Sequence, residues 1–415
     1  MKIHDDAQIM IKAIIEDNMP RISVENALKQ FDFGDAVYMV AIGKAAWTMA
    51  EATVDFLDER LERGIVITKY DHSNGEFDER VEVYEAGHPV ADQNTFDATA
   101  RVIEMVQDLT YGDELIFLVS GGGSALFEKP LEGITLHDIQ DITSQLLKSG
   151  ADIVEMNMIR KRLSAVKAGR FAETVAPAHI YAIILSDVVG DRLDSIASGP
   201  AVPDNSTAED AAKVVKFYEL KLNELQESYL KQETPKSITN VETVITGSVS
   251  TLVESASRMA SQLGYTPYVL TTTMVCEAAE AGRLIASMAT TTADGRSSFQ
   301  KPCAIILGGE TVVKVAGSGS GGRNQEIALA AAKGIAGYDN ILVFSLGSDG
   351  TDGPTDAAGG IVDGTTLAKL KTAGKDVDME LRNNDSYNAL NSVGSLIMTG
   401  PTGTNVNDVT VVLCT

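Results

Sequence analysis

Short runs of apolar residues, rich in valine and isoleucine, alternate along this chain with longer amphipathic segments rich in alanine. This alternation is typical of the α/β class, in which parallel strands are joined by crossover helices. The apolar runs predict strands at residues 37–42, 65–68, 114–120, 181–186, 241–246, 265–271, 304–307, 341–346 and 409–413. The amphipathic segments predict helices, for example at residues 45–61, 92–109, 153–166, 250–263 and 324–335.

The length of the chain predicts two domains. Its 415 residues exceed the size that a single hydrophobic core usually supports, because single cores stop growing at roughly 250–300 residues. The weakest globular pattern lies at Glu219–Asn240, a charged stretch that precedes a new strand, turn and helix from Val241 onward. We therefore predict an N-terminal domain at residues 1–237 and a C-terminal domain at residues 238–415.

The charge of the chain excludes one class of partner. Lys and Arg number 34 against 58 Asp and Glu, which gives a formal net charge of −24. Proteins that bind nucleic acids need a basic surface, so we expect no nucleic-acid partner. The same charge repels nucleotides and small carboxylates at long range. An anionic ligand therefore requires a local group of Lys, Arg and backbone NH groups.

The cysteines and the N-terminal segment indicate a soluble cytoplasmic protein. Cys276, Cys303 and Cys414 are widely spaced without a CxxC motif, which fits neither a disulfide framework nor a thiolate zinc site. Residues 1–17 are acidic and lack the apolar core of a signal peptide, and no stretch has the apolar length of a membrane span. We expect no membrane partner. The oligomeric state stays open, a homodimer included.

Two motifs at strand ends could bind an anion. A triple-glycine turn follows one strand directly and consists of Gly121, Gly122, Gly123 and Ser124. Three glycines let the backbone come close to a ligand and turn successive NH groups toward an anion. Lys44 ends the first strand, at the edge where open α/β sheets bind ligands. It lacks the GxxxxGK[ST] spacing of a P-loop, so a solvated surface lysine is the alternative interpretation.

A second glycine-rich loop supports a different hypothesis. Gly317, Gly319 and Gly322 satisfy the GxGxxG pattern between a strand and a helix, which is the fingerprint of dinucleotide-binding oxidoreductases. The first acid after the next strand is Asp349, farther along than the ~20 residues usual for the ribose-binding carboxylate. Arg323, at the end of the loop, adds a planar group suited to a carboxylate or a phosphate.

Several carboxylates also follow strands. Asp187 comes directly after one strand, Asp349 and Asp352 lie in a glycine-rich turn after another, and Glu310 precedes Arg323 in sequence. Carboxylates in such positions can hold Mg²⁺ and orient or deprotonate a hydroxyl group. Asp-Gly sequences are also ordinary turns, and Glu310 could equally be a salt-bridge partner of Arg323.

The histidines indicate no metal site. None of the five pairs with Cys or a carboxylate at a zinc-site spacing. His88 lies in a Gly-His-Pro turn, where we interpret it as a residue that fixes the loop.

Eight sequence blocks resemble the glycerate 2-kinase family, in the expected order along nearly the whole chain. They are Ala41–Ala46, Gly87–Pro89, Ser120–Leu126, Leu185–Asp191, Gly308–Thr311, Gly321–Glu326, Ser348–Gly353 and Thr402–Asp408. The resemblance implies a Rossmann-like α/β/α N-terminal domain, a smaller α/β C-terminal domain of the MOFRL type, and an active site in the cleft between them. It also implies transfer of a phosphate from ATP, with Mg²⁺, to the 2-hydroxyl of D-glycerate, giving 2-phosphoglycerate and ADP.

The family also implies roles for particular residues. Lys44 and Arg323 match positions that contact the reacting phosphate and the glycerate carboxylate, and Asp187 and Glu310 match acids of the site. Further candidate contacts to substrate or nucleotide are Gly121, Gly122, Gly123, Ser124, Arg160, Asn324, Asp349 and Asp352, with Asp187 and Asp349 as candidate metal ligands. In this hypothesis Lys44 and the triple-glycine turn hold phosphates, Arg323 binds glycerate, and Asp187 orients or deprotonates its hydroxyl.

Two alternatives belong to other functional classes. An NAD(P)-dependent hydroxypyruvate or tartronate reductase would use the GxGxxG loop, although no His and carboxylate pair suited to hydride chemistry is recognisable. A non-catalytic sensor of nucleotides or sugar acids would have no need of the acids at the strand ends.

Overall fold

The computed structural model describes residues 2–415, which form two compact units. The N-terminal unit is Pro20–Thr246, and the C-terminal unit combines Gly247–Thr415 with the residues up to Met19. This division differs from the predicted boundary after residue 237. The strand that begins at Val241 joins the N-terminal sheet, and the first helix, α1 (Lys2–Asp17), belongs to the C-terminal unit.

The N-terminal unit is built from one sheet and the helices around it. Its strands are β1 (Val37–Ile42), β2 (Leu61–Lys69), β3 (Val81–Ala86), β4 (Glu114–Val119), β5 (His179–Leu185) and β6 (Val241–Gly247). Its helices are α2 (Pro20–Leu28), α3 (Ala46–Leu57), α4 (Gln93–Val106), α5 (Gly123–Leu126), α6 (Leu136–Lys148), α7 (Ile153–Arg162), α8 (Arg170–Val175), α9 (Ala208–Phe217) and α10 (Glu224–Leu230), with short 3₁₀ turns at Asp58–Arg60 and Ile196–Ser198.

The strand order of this sheet is β3-β2-β1-β4-β5-β6, and the pairs from β3 through β5 are parallel. This is the order of the Rossmann fold, which confirms the expected N-terminal fold. The central strands are continuous apolar runs because helices cover both faces of such a sheet. Ligands of doubly wound sheets bind where the strand order reverses, at the carboxyl ends of β1 and β4.

The C-terminal unit contains a second six-stranded sheet. Its strands are β7 (Thr266–Met274), β8 (Cys303–Gly309), β9 (Ile341–Gly347), β10 (Gly359–Asp363), β11 (Leu396–Ile397) and β12 (Asp408–Cys414). Besides α1, its helices are α11 (Val249–Gln262), α12 (Ala278–Ala293), α13 (Arg323–Gly334), α14 (Thr366–Thr372), α15 (Val377–Arg382) and α16 (Ser386–Asn391).

The second sheet is mixed, contrary to the expected parallel arrangement. Its order is β11-β10-β9-β12-β8-β7, with β7 and β8 parallel and the other pairs antiparallel. A parallel pair requires a crossover connection, usually a helix. The segment between β9 and β10 is a loop without a helix, so β10 returns beside β9 in the opposite direction. The apolar pattern identified β8, β9 and β12 as buried strands but carried no information on their direction.

Helix α1 packs against the C-terminal unit through specific polar contacts. The hydroxyl of Tyr265 donates to Asp6 at 2.7 Å, and Thr251 Oγ1 donates to Asn18 Oδ1 at 2.6 Å. His4 Nε2 lies 2.9 Å from Asp363 Oδ2. The partners are more than 230 residues apart in sequence, so the pattern of α1 alone could not assign it to this unit. No helix within residues 2–415 is both long and apolar enough to cross a membrane.

Candidate active site

Lys44 and the triple-glycine turn lie together at the point where the strand order of the N-terminal sheet reverses. Lys44 follows β1, and Gly121 follows the adjacent strand β4. The Lys44 backbone NH donates to the Gly121 carbonyl at 2.9 Å, and the Ala45 NH donates to Ser120 Oγ at 3.1 Å. These bonds hold the ends of the two strands together. Lys44 therefore lies at the edge of the sheet where doubly wound folds bind ligands.

Glycine is required in this turn because the side chains of neighbouring segments pack closely against it. A Cβ atom on Gly121 would lie 2.4 Å from Asp187 Oδ2. A Cβ atom on Gly122, whose φ is +86°, would lie 3.0 Å from the His88 ring and 3.3 Å from Lys44 Cγ. A larger residue would displace these groups. The structure thus brings Lys44 and Asp187 to the same turn.

His88 also belongs to this cluster, although the sequence analysis interpreted it as a residue that fixes a loop and not as a candidate site residue. Its ring lies against Gly122 beside Lys44. Burial lowers the pKa of His88, and the nearby charge of Lys44 lowers it further. The imidazole is therefore neutral at pH 7 and can accept or donate a hydrogen bond. The position of His88 shortly after strand β3 could have identified it as a candidate. The apolar pattern did not predict that strand.

The far side of the turn rests on a strained segment. Ser124 Oγ lies 2.7 Å from Ser198 Oγ, and Ala197 and Ser198 have φ angles of +48° and +62°. Non-glycine residues rarely adopt this left-handed conformation, and it costs roughly 1–3 kcal/mol per residue where the surrounding structure enforces it. The Ser198 carbonyl accepts a bond from the Ala168 NH at 3.1 Å, which helps to hold the segment. The turn is therefore supported in one conformation.

A buried lysine holds the end of the turn from inside the unit. The ammonium of Lys167 donates to the carbonyl of Ser124 at 2.7 Å and pairs with Glu128 at 3.5 Å. Arg160, a candidate from sequence, lies near enough for its charge to act on Lys167. The Arg160 Nε is buried and has no hydrogen-bond partner within residues 2–415. The structure thus associates Arg160 with this internal cluster behind the turn.

The burial of Lys167 predicts a specific pH dependence of stability. Burial lowers its pKa from 10.5 to about 8, and Glu128 offsets part of this effect. Between these values the unfolded chain keeps a proton that the folded chain has lost, so the free energy of unfolding should rise with pH, by at most about 1.4 kcal/mol per pH unit. Urea unfolding of the wild type and of Lys167→Met at pH 8, 9 and 10 would measure this, because contributions of other groups cancel in the difference. The exposed Lys148→Met is the control, and a flat difference for Lys167→Met would contradict the expectation.

In the C-terminal unit, Arg323 is held by two carboxylates. It donates through Nε and Nη2 to the two oxygens of Asp408, the second at 3.0 Å, and through Nη1 to Glu310 Oε1 at 2.7 Å. Burial alone would lower the pKa of Arg323, but the hydrogen bond and charge of Asp408 and the charge of Glu310 raise it overall. Of the five N–H groups of a guanidinium, two remain for a ligand. Sequence analysis identified Arg323 and Glu310 but not Asp408, whose role depends on a partner 85 residues away.

Asp352 and Asn324 have internal partners. The carboxylate of Asp352 accepts from the backbone NH groups of Asn324 at 3.2 Å and Gln325 at 2.8 Å, so it caps the first turn of α13. Burial raises the pKa of Asp352 to about 7, although these hydrogen bonds act in the opposite direction. The side-chain oxygen of Asn324 accepts from Ser345 Oγ at 2.6 Å. Both residues are buried, and ligand contacts by either of them stay a prediction.

The GxGxxG loop is closed by the protein itself. The NH groups of Ala316 and Gly317 donate to Asn384 Oδ1 at 2.8 and 2.9 Å. Those of Ser318, Gly319 and Ser320 donate to oxygens of residues 383 and 385. The helix that follows is capped by Asp352, so the NH groups of residues 316–320, 324 and 325 are already bonded within the protein and are not available to a pyrophosphate. The loop packs so closely against residues 383–386 that side chains would not fit, which requires glycines at these positions. The match to the fingerprint follows from this packing.

Asp349 lies at the end of β9 beside the Arg323 cluster. Its Oδ1 accepts from the Thr351 NH at 3.0 Å. A Cβ on Gly347 would be 3.4 Å from Asp349 Oδ1 and 3.3 Å from Asp408 Oδ1. Within residues 2–415 no three His, Cys, Asp or Glu side chains are grouped so that they could hold a metal ion. Mg²⁺ in phosphoryl-transfer enzymes commonly uses only one or two carboxylates together with water and phosphate oxygens, and such a site remains compatible with these residues.

Comparison with known proteins places this geometry in a family. Residues 6–231 match a family described as a domain of unknown function (DUF4147), and residues 303–408 match the MOFRL family. The D-glycerate 2-kinase of Thermotoga maritima is 52% identical over 96% of this chain and 95% of its own. The glycerate 2-kinase of Pyrococcus horikoshii is 43% identical over 93% of this chain and 89% of its own. The crystal structure of a glycerate kinase from Thermotoga maritima superposes with a TM-score of 0.96, at 51% identity and with 99% of each chain covered. This chain therefore belongs to the glycerate 2-kinase family.

Proposed function

We propose that this protein is an ATP-dependent kinase that phosphorylates the 2-hydroxyl of D-glycerate and releases 2-phosphoglycerate and ADP. The observation that carries the proposal is the convergence of Lys44 and Asp187 on the Gly121–Gly122 backbone. A cation, a carboxylate and a glycine turn at the switch point of a Rossmann sheet form an arrangement suited to phosphoryl transfer, where positioning and charge neutralisation dominate catalysis. The closed GxGxxG loop removes the observation that favoured a reductase.

Each residue then has a defined task. The ammonium of Lys44 and the NH groups of the Gly121–Ser124 turn bind phosphate oxygens and stabilise the charge that develops on them. A carboxylate oxygen of Asp187 accepts a hydrogen bond from the 2-hydroxyl of glycerate and takes its proton as the new O–P bond forms. Arg323 binds the glycerate carboxylate through the N–H groups that Glu310 and Asp408 leave unused.

The proposal includes ATP as phosphate donor and Mg²⁺ as cofactor. We propose Asp187 and Asp349 as alternative candidates for the carboxylate ligand of Mg²⁺, because one carboxylate suffices when water and phosphate oxygens complete the coordination. When bound, the ion neutralises phosphate charge. The local cations are few in a chain of net charge −24, so this neutralisation is needed for the nucleotide to approach the carboxylates.

A ³¹P NMR experiment tests the reaction directly. The purified protein is mixed with ATP, Mg²⁺ and D-glycerate, and spectra are recorded over time beside a sample that lacks glycerate. We expect resonances of ADP and 2-phosphoglycerate to grow together only in the complete sample. Unchanged ATP would contradict the kinase, and growth of 3-phosphoglycerate would contradict the position of transfer.

Substitution of Gly122 tests the contact between the turn and the side chains. Gly122→Ala forces alanine into a left-handed conformation, which costs ~1–2 kcal/mol, and places its Cβ against His88 and Lys44. Gly150→Ala also forces alanine into the left-handed conformation, since φ of Gly150 is +78°, but no atom lies within 4 Å of the added Cβ. We expect similar losses of stability in urea unfolding, whereas only Gly122→Ala should lower kcat/KM, by about tenfold or more. Equal kcat/KM values for the two variants would contradict a role of this contact in catalysis.

A further inference from the structure

A cavity of about 720 Å³ lies in the C-terminal unit beside Arg323 and Glu310. We call it the valine pocket, because Val275, Val312, Val313 and Val315 line it together with Thr311 and the glycines of the 319–322 loop. We propose that it binds the base and ribose of the nucleotide. This inference rests on the proposed kinase function and names the part of the substrate that the C-terminal unit recognises.

The walls of the pocket are apolar and exposed. The side chains of Val275, Val312 and Val315 are each more than half exposed. Exposed valines scattered singly are normal, but three that share one cavity form an apolar surface that a ligand can cover. Pockets of this volume and character are typical of ligands that are larger and flatter than a three-carbon acid such as glycerate.

One residue of the pocket lining carries a buried polar group without a partner. Thr311 is 3% exposed, and its Oγ1 makes no hydrogen bond within residues 2–415. Leaving a buried hydroxyl unbonded is unfavourable, so a ligand toward which this hydroxyl turns would gain binding energy from the new hydrogen bond. The edge of a purine carries both donors and acceptors, and a hydroxyl can pair with either.

The charges around the pocket favour the base over the phosphates. Arg323 is balanced by Glu310 and Asp408, and Glu326 adds another carboxylate to the lining. The NH groups of residues 316–320 are already bonded to residues 383–385. The lining therefore offers phosphates neither the NH groups of residues 316–320 nor an excess of positive charge, whereas a neutral aromatic base requires neither.

A cavity of the N-terminal unit is the competing place for the base. It measures about 810 Å³ and includes Trp47, whose buried Nε1 also has no partner within residues 2–415. Its lining is more acidic and contains the carboxylates of Asp78, Glu79, Glu85 and Asp97. Four carboxylates repel the phosphates that are attached to the base, so we assign the base to the valine pocket.

Two residues of the native protein can report which of the two cavities a ligand occupies. Cys276 is the exposed cysteine of the three, it follows Val275, and its carbonyl accepts from the Val312 NH at 3.0 Å. Trp47 is the single tryptophan of the chain. The rate of maleimide modification of the native protein therefore monitors the valine pocket, and intrinsic tryptophan fluorescence monitors the N-terminal cavity.

The probes are ADP and adenosine, the latter to exclude any contribution of phosphates. We expect both to slow modification of Cys276 and to leave the Trp47 emission unchanged. Val312→Asp should raise the Kd of ADP, measured by calorimetry, by about tenfold or more, since it places a carboxylate in the apolar wall. Val269→Asp is the matched control, because Val269 is an exposed valine of the same unit outside the pocket.

The outcomes also separate this inference from the proposed function. Quenching of Trp47 with unchanged Cys276 reactivity would overturn the valine pocket, as would equal Kd values for the two variants, even if ³¹P NMR shows phosphoryl transfer. Protection of Cys276 by adenosine, together with weaker binding by Val312→Asp alone, would support the pocket even if ³¹P NMR shows no transfer.

Discussion

Replacing Lys44 by methionine is expected to lower kcat/KM for D-glycerate about a hundredfold or more, because one preorganised cationic donor to a reacting phosphate contributes on the order of 3 kcal/mol. Methionine keeps most of the side-chain volume beside Gly122, so the turn should retain its conformation. Initial rates over a range of both substrates would give kcat and KM separately.

Two further measurements interpret that result. Lys148→Met, which removes an exposed charge from α6, should leave the rate unchanged and so controls for the loss of one positive charge. The melting temperature of Lys44→Met should stay within a few degrees of the wild type. A wild-type kcat/KM in Lys44→Met would remove this lysine from the proposed mechanism.

Arg323→Ala should impair both activity and stability. The activity should fall about a hundredfold or more if Arg323 binds glycerate. The stability should fall by roughly 3–5 kcal/mol, because breaking a buried ion pair leaves the charge of Asp408 without compensation. Burial already raises the pKa of Asp408 despite its bonds to Arg323, which lower it. The single variant should therefore recover part of its stability as the pH is lowered and this carboxyl takes up a proton.

The double variant Arg323→Ala with Asp408→Ala separates the two effects. Removing both members of the pair should restore most of the stability measured by urea unfolding but none of the activity. If the double variant were active, Arg323 would serve only to neutralise Asp408. If the single variant kept its stability, the pair would not be the structural contact that the geometry indicates.

The elements that sequence analysis predicted well are those whose pattern lies within one short segment of the chain. The apolar run at 37–42 became β1 with the same bounds, and the triple-glycine turn follows β4 as expected. Lys44 and Asp187 were identified because each follows a buried strand, and parallel strands bring their carboxyl ends to one edge.

The sequence did not reveal which groups the glycines of the GxGxxG loop and the carboxylate of Asp352 contact. The GxGxxG loop owes its glycines to the segment at 383–386, more than 60 residues away. Asp352 caps α13, which begins 29 residues earlier at Arg323, and the apolar pattern cannot show that a turn residue reaches back to a preceding helix. Such contacts depend on how strands are ordered in the second sheet, and a periodic pattern contains no information on that order.

The position of β12 between β8 and β9 has a consequence for synthesis on the ribosome. Both neighbours precede β12 in the chain, so they emerge while the place between them is empty and their inner edges have no partner. Unpaired edges of buried, apolar strands invite pairing with other chains. The nascent C-terminal unit is thus exposed to aggregation until β12 arrives, whereas β1 through β6 of the N-terminal sheet have all been translated by then. Slow translation between β9 and β12, or a shortage of chaperones, should lower the yield of folded protein through the C-terminal unit first.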